Sequence, residues 1–166
     1  MLIYNPAFDA YNCIFRIISI LEFRKSLEIE KLRILDLLLC FPSAVESFTL
    51  PNTLSHIKPI SRSKSNPYRG DFGFKGLFNN LKNTQEGALS CLAGASFISK
   101  EKLKEGIVER TIISLPVELE LQRIKLIERE DFFFNVILES ISLIPLLGPG
   151  GLKDRSGLME FRYDNI

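Results

Sequence analysis

A helix that is apolar around most of its circumference opens this chain, and no other segment restricts the possible folds as much. Asn5 followed by Pro6 supplies a cap and a preset first-turn dihedral, and Asp9 places negative charge near the positive end of the helix dipole. The helix is expected to run to about Arg24. Within it Asp9, Asn12, Arg16, Ser19 and Glu22 recur every three or four positions as one narrow polar stripe. Phe8, Tyr11, Ile14, Phe15, Ile17, Ile18, Leu21 and Phe23 cover the remainder, so the helix must be buried on several sides. With 166 residues, 46% of them hydrophobic, the chain can build one real core as a single domain over residues 1–166. In so small a domain one side of the helix is expected to be covered by another subunit.

Further elements follow from local signals. Ser26 can cap a second helix with Glu28 and Glu30 in its first turn, carrying Ile29, Leu32, Leu35 and Leu39 inward until Pro42 ends it. Residues 51–82 are rich in Ser, Asn, Pro and Gly and are expected to form a long loop. Asn83 and Glu86 have capping-box spacing, which predicts a third helix whose face carries Ala88, Leu89, Leu92, Ala93 and Ser96. Phe97 and Ile98, the charged run KEKLKEG and the β-branched run IVERTII then predict a hairpin. Pro116 opens another helix to about residue 130, and Phe133, Val136, Ile137, Ile141 and Ile144 mark a last one closed by Pro145. After a GPGG turn, LMEFRYD alternates as a half-buried strand does. The predicted class is mainly α with a small β hairpin (α+β), a winged-helix-like core with extra C-terminal helices and a C-terminal strand.

Composition narrows the chemistry. Lys plus Arg total 21 against 20 acidic residues, so a general polyanion binder is not expected and any nucleic-acid contact must be local. The start MLIYNPAFDA lacks the basic stretch, apolar run and cleavage site of a secretory signal. The apolar segments 13–23 and 34–41 are too short to cross a bilayer and contain or adjoin Arg16, Glu22 and Asp36. Cys13, Cys40 and Cys91 are odd in number, far apart and set among apolar neighbours, which suits buried thiols in a cytoplasmic compartment. One histidine, His56, and no C-x-x-C pair leave no zinc ligand set. His56 lies in the polar loop without a positioned nucleophile and reads as a solvated imidazole. Gly148, Gly150, Gly151 and Lys153 lack the order of a phosphate loop and read as a turn. Glu118, Glu120 and Glu128 lie among Arg123, Lys125 and Arg129 at the spacing of a salt-bridged helix face. No catalytic residue, metal or cofactor is expected.

Two groups of charges remain. Arg33 and Asp36 stand three apart on one helix, beside the apolar run LLLCF that makes an unpaired carboxylate costly. They are expected to form a structural ion pair, or else a charge contact to a partner. The segment ISRSKSNPYRGDFGFKG interleaves Arg62, Lys64, Arg69 and Lys75 with Tyr68, Phe72 and Phe74. That composition suits a basic loop anchored by its rings, or a contact to another protein, and can also hold phosphates while stacking on bases. The predicted third helix, TQEGALSCLAGAS, carries no Arg or Lys, which argues against its use as a DNA-reading helix.

The segments YNPAFDAYNCIFRI, LRILDLLLCFP, LFNNLKNTQEGALSCLA and GLKDRSGLMEFRYD together resemble the middle component of bacterial ABC-three-component systems, which include the small accessory subunit of Lamassu-type defence operons. The resemblance implies a winged-helix-like subunit that associates with an SMC-like coiled-coil ATPase and with an effector, commonly a nuclease, with DNA reached through the complex. Polar groups beside apolar surface resemble interface rims. The expected partner contacts are therefore Asp9, Asn12 and Arg16 on the first helix, Arg33 and Asp36 on the second, and Lys153, Asp154, Arg155, Glu160, Arg162 and Tyr163 in the tail. The alternative is a stand-alone winged-helix DNA-binding regulator.

Overall fold

The computed structural model describes residues 5–63, 73–129 and 132–159. Asn5 does cap a helix, but a short one. Its side chain accepts a hydrogen bond from the Ala7 backbone N–H at 3.1 Å and starts the 3₁₀ turn Pro6–Phe8. Asp9 then caps α1, Ala10–Phe23, by accepting from the Tyr11 N–H at 3.1 Å. The chain leaves α1 extended and forms β1, Ser26–Glu28, before α2, Ile29–Cys40. Ser26 therefore belongs to a strand and does not cap α2, whose N-cap is the extended Glu28. A pairing partner far away in sequence overrides the local capping signal.

That partner is β2, Ile107–Glu109, antiparallel in the register Ser26↔Glu109, Leu27↔Val108, Glu28↔Ile107. Leu27 and Val108 face each other in the core, as the period of two requires. The predicted hairpin survives on the other edge only as the single bridge Ile98↔Arg110. Between its limbs KEKLK winds into α5, Lys100–Lys104, because the Ser99 hydroxyl accepts from the Lys102 N–H at 3.2 Å.

The segment predicted as a loop is largely helical where described. It contains a 3₁₀ turn at Asn52–Leu54, then α3, Ile57–Arg62, and the first turns of α4, Phe74–Gly94. Asn83 lies inside α4 rather than capping it. The buried stripe Leu77, Phe78, Leu81, Gln85, Ala88, Leu89, Leu92 runs unbroken past Asn83, and burying its first turns outweighs a capping box downstream. At its far end the Phe97 N–H bonds back to the Leu92 carbonyl at 2.9 Å with Ser96 in the left-handed region at φ 63.

The C-terminal part contains α6, Val117–Arg129, α7, Phe132–Glu139, and a 3₁₀ turn Ile141–Leu143. A turn with Gly148 and Gly150 at positive φ leads into α8, Leu152–Ser156. Gly151 has no room for a side chain: a Cβ there meets the Leu147 carbonyl oxygen at 2.5 Å. The predicted C-terminal strand begins at Leu158 and Met159, which form a bend, and residues 160–166 lie outside the described residues. The architecture is mainly α with one small antiparallel sheet.

Helix α1 sits at the centre, packed by α2, α4, α6 and α7, with Ile17, Ile18, Ile20 and Leu21 fully buried. The chain's own helices cover the middle of α1, and its exposed apolar side chains are Tyr11 in its first turn and Phe23 at its end. Replacing Ser96 with Gly should relieve the left-handed backbone at the end of α4 and stabilise the fold by about 1 kcal/mol. Chemical denaturation checks this, and a loss of stability would show that the Ser96 side chain has another role.

Candidate functional site: a buried polar network and two exposed apolar patches

Within the apolar interior, four polar side chains from three helices are linked. Asp36 on α2 is 0% exposed, and its Oδ1 accepts from Arg16 Nε of α1 at 2.6 Å. Its Oδ2 accepts from Gln85 Nε2 of α4 at 2.8 Å. Gln85 in turn accepts through Oε1 from Arg33 Nε at 2.9 Å and donates to the Arg33 carbonyl at 3.3 Å. The Arg33 guanidinium stacks over the Phe78 ring, 4.3 Å from its centroid. Arg16 also donates from Nη2 to the Ala7 carbonyl at 3.2 Å and from Nη1 to that of Pro6 at 3.4 Å, tying the N-terminal turn to the cluster. Both amide ends of Gln85 are used, which fixes its orientation.

The surroundings shift these groups in ways that suit a structural role. Burial alone disfavours the Arg16 charge, but the adjacent Asp36 outweighs it and holds the guanidinium above its ordinary pKa. Burial, reinforced by Asp36, pushes the Cys13 thiol well up, so it stays protonated. Burial lowers Arg33, and the fields of Glu86 and Glu30 oppose the shift. The predicted Arg33–Asp36 pair is thus replaced: Arg16 neutralises Asp36, while Arg33 bonds to Gln85. Side chains three apart on α2 point to different neighbours, and the carboxylate is met by the helix across from it.

The remaining expected site residues fall as follows. Asp9 and Asn12 lie at the start of α1, with Asn12 Nδ2 donating to Asp9 Oδ2 at 2.8 Å. In α8, Lys153 is buried and pairs with Glu30 at 3.0 Å, and Asp154 accepts from the Gly150 N–H at 2.8 Å. Arg155 donates to the Thr49 carbonyl at 2.7 Å and to that of Gly150. Glu160, Arg162, Tyr163, Lys64 and Arg69 lie outside the described residues. Arg62 is exposed and 3.4 Å from Glu46, and Lys75 is exposed in the first turn of α4. His56 is exposed. Of the cysteines expected to be buried, Cys13 is, Cys40 is half-buried and Cys91 is exposed on the outer face of α4. Among the described residues no group of three or more His, Cys, Asp or Glu side chains is placed to hold a metal.

Besides Phe23, Leu143 and Leu147, the exposed large apolar side chains among the described residues fall in two groups. At the start of α1, Tyr11 is 54% exposed with its ring edge-on to Phe15 at 4.8 Å, and Phe8 lies nearby against Phe41. On α6, which rests on α1, Val117, Leu121 and Ile124 form an exposed ridge, preceded in the sequence by the exposed Ile113 and the fully exposed Ile112. Reading α6 only as a salt-bridged face missed this ridge. Its signal was a second apolar stripe, since Leu119 and Leu126 already supply the half-buried one.

A mainly helical chain whose buried charges are engaged within the fold and which leaves apolar side chains outside has the features of a component that works by binding other proteins. The chain matches the family model for "ABC-three component (ABC-3C) system Middle Component 5" over residues 2–164, and it belongs to that family. It is therefore a component of a multi-protein system. No curated protein and no solved structure matches it. Among the described residues no helix is long and apolar enough to cross a membrane.

Asp36→Ala should cost about 3–5 kcal/mol, because it strands the Arg16 charge in the interior. Arg16→Met combined with Asp36→Leu should cost markedly less than the sum of the two single changes. Urea denaturation of the double-mutant cycle checks this, and additive effects would show that the pair is uncoupled.

Proposed function

We propose that this chain is the non-catalytic adaptor of its three-component system, joining an SMC-like coiled-coil ATPase to an effector, commonly a nuclease. In this reading it belongs to a Lamassu-type anti-phage and anti-plasmid defence complex of the bacterial cytoplasm and restrains the effector until foreign DNA is sensed. Membership of the middle-component family across residues 2–164 is the observation that carries it. The scaffold is read as winged-helix-like, because α1, β1, α2, α4 and β2 follow one another with β2 lying between β1 and Ile98. Partner contact is assigned to the start of α1, where the exposed Phe8 and Tyr11 adjoin Asp9 and Asn12, and to Asp154, Arg155, Glu160, Arg162 and Tyr163 in the charged C-terminal segment, with Lys153 buried beneath it. Aromatic side chains ringed by polar groups are the usual anchors of protein interfaces. The buried Arg16, Arg33 and Asp36 support that surface from within rather than lining it.

Co-expression with the products of the adjacent genes tests the adaptor role. The chain should co-elute with an ATPase and an effector, and Tyr11→Ala should weaken that association by about tenfold or more. A chain that never co-elutes with either would sink the reading.

One observation favours a second reading, direct contact with nucleic acid. Because α4 begins at Phe74 rather than Asn83, its exposed face gains Lys75, Asn79 and Lys82 ahead of Asn83, which themselves follow helical spacing. Asn can read adenine edges and Lys can hold phosphates. In this reading Arg62, Lys64 and Arg69 add phosphate contacts. Fluorescence anisotropy with a labelled duplex should show salt-sensitive binding that Lys75→Ala with Lys82→Ala reduces, lowering the salt slope by about 2. Binding that is absent at low salt, or indifferent to both lysines, would exclude it.

A further inference from the structure

Helix α6 touches the rest of the chain along one side, through half-buried Leu119, Arg123 and Leu126, and turns Val117, Leu121 and Ile124 to solvent. Those three are separated by four and then three residues, the spacing of a coiled-coil seam. An exposed row of this kind asks for a second helix. The charges beside it indicate which one. Glu120 is already held by Arg123 at 2.5 Å. Glu118 and Lys125 stand exposed along the same edge of the seam, near its opposite ends, and neither has an ion-pair partner among the described residues.

A helix with opposite charges at the two ends of one edge is complementary to itself when reversed. Laid antiparallel about a two-fold axis, Leu121 of one copy meets Ile124 of the other, and Glu118 comes beside Lys125 at both ends. A parallel arrangement brings that edge against the opposite edge of the partner helix, so Glu118 and Lys125 no longer meet each other, and the Glu120 that Lys125 would face is already held by Arg123. Ile112 and Ile113, just ahead of α6 in the sequence, are exposed as well.

We propose that the α6 ridge docks a second copy of this chain by antiparallel, two-fold pairing of the two α6 helices. The pairing goes beyond the adaptor role and does not depend on it. It places two middle components in contact.

The experiment is the solution mass of the purified full chain, followed by analytical ultracentrifugation over a concentration series reaching about several hundred µM, since a short seam pairs weakly. The wild type should approach twice the 18.9 kDa chain mass. Leu121→Lys should hold it at the monomer mass with an unchanged far-UV circular dichroism spectrum, because Leu121 is already 53% exposed. Glu118→Lys and Lys125→Glu should each weaken pairing by about tenfold, and the two together in one chain should restore it. A wild type that stays monomeric at the top of the series overturns the pairing, as does a dimer indifferent to Leu121→Lys. Single swaps without restoration in the double variant also overturn it and leave the ridge to a different protein. A monomer that still co-elutes with the other components rejects the pairing alone. A dimer that never co-elutes with them rejects the adaptor alone.

Discussion

Taking the Asp36 carboxylate out of water is unfavourable by several kcal/mol, and the fold must meet that cost with partners drawn from three helices at once. Arg16 supplies the opposite charge from α1 and Gln85 supplies an amide from α4. Each can do so in only one rotation of its helix, since a turn of about 100° moves either side chain to another face. An apolar core of Ile and Leu tolerates several alternative packings, whereas a hydrogen-bonded centre does not. The cluster is therefore read as what selects one register among α1, α2 and α4, with apolar burial supplying the bulk of the stability around it.

The cluster also changes what the surface is available for. A polar stripe on an otherwise apolar helix suggests a solvent-facing or partner-facing edge, but Arg16 and Ser19 of that stripe are buried, and Ser19 donates back to the Phe15 carbonyl at 2.8 Å. Arg33 and Lys153 are likewise engaged within the chain. The charges that remain outside are spread over the periphery, among them those on α3, α4, α5 and α6, and exposed rings sit at the two ends of α1. The middle of α1 is thereby left with no polar surface to offer a partner, and the contact proposed above falls on its first turn.

How much of this was legible in the sequence depends on the range over which each signal acts. Proline marks helix ends through its own ring, so the close of α2 before Pro42 and the start of α6 after Pro116 were readable. The burial of α1 on most sides was readable from its composition. The pairing of Ser26–Glu28 with Ile107–Glu109 was not, because nothing in either triplet names a partner some eighty residues away. Helix α4 was misplaced for a different reason. Asn, Lys and Gly around Leu77, Phe78 and Leu81 look like loop composition, and only the core against which those three pack makes the segment helical. The site suffered most, since a buried Arg–Asp–Gln arrangement and an exposed one use the same letters, and local spacing favoured Arg33 over Arg16 as the partner of Asp36.

That the chain's own helices close over α1 bears on how assembly relates to folding. A core completed only by another subunit makes folding and assembly one event, with no stable separate chain. Here Ile17, Ile18, Ile20 and Leu21 are out of water without help, and the exposed apolar side chains lie on α6, on the segment before it, at the ends of α1 and at Leu143 and Leu147. None of them is needed to seal the interior. Association through such peripheral surfaces adds to a fold that is already complete, so its strength can be modest and its partners exchangeable. That is the physical condition under which a component can be held, released and held again without unfolding.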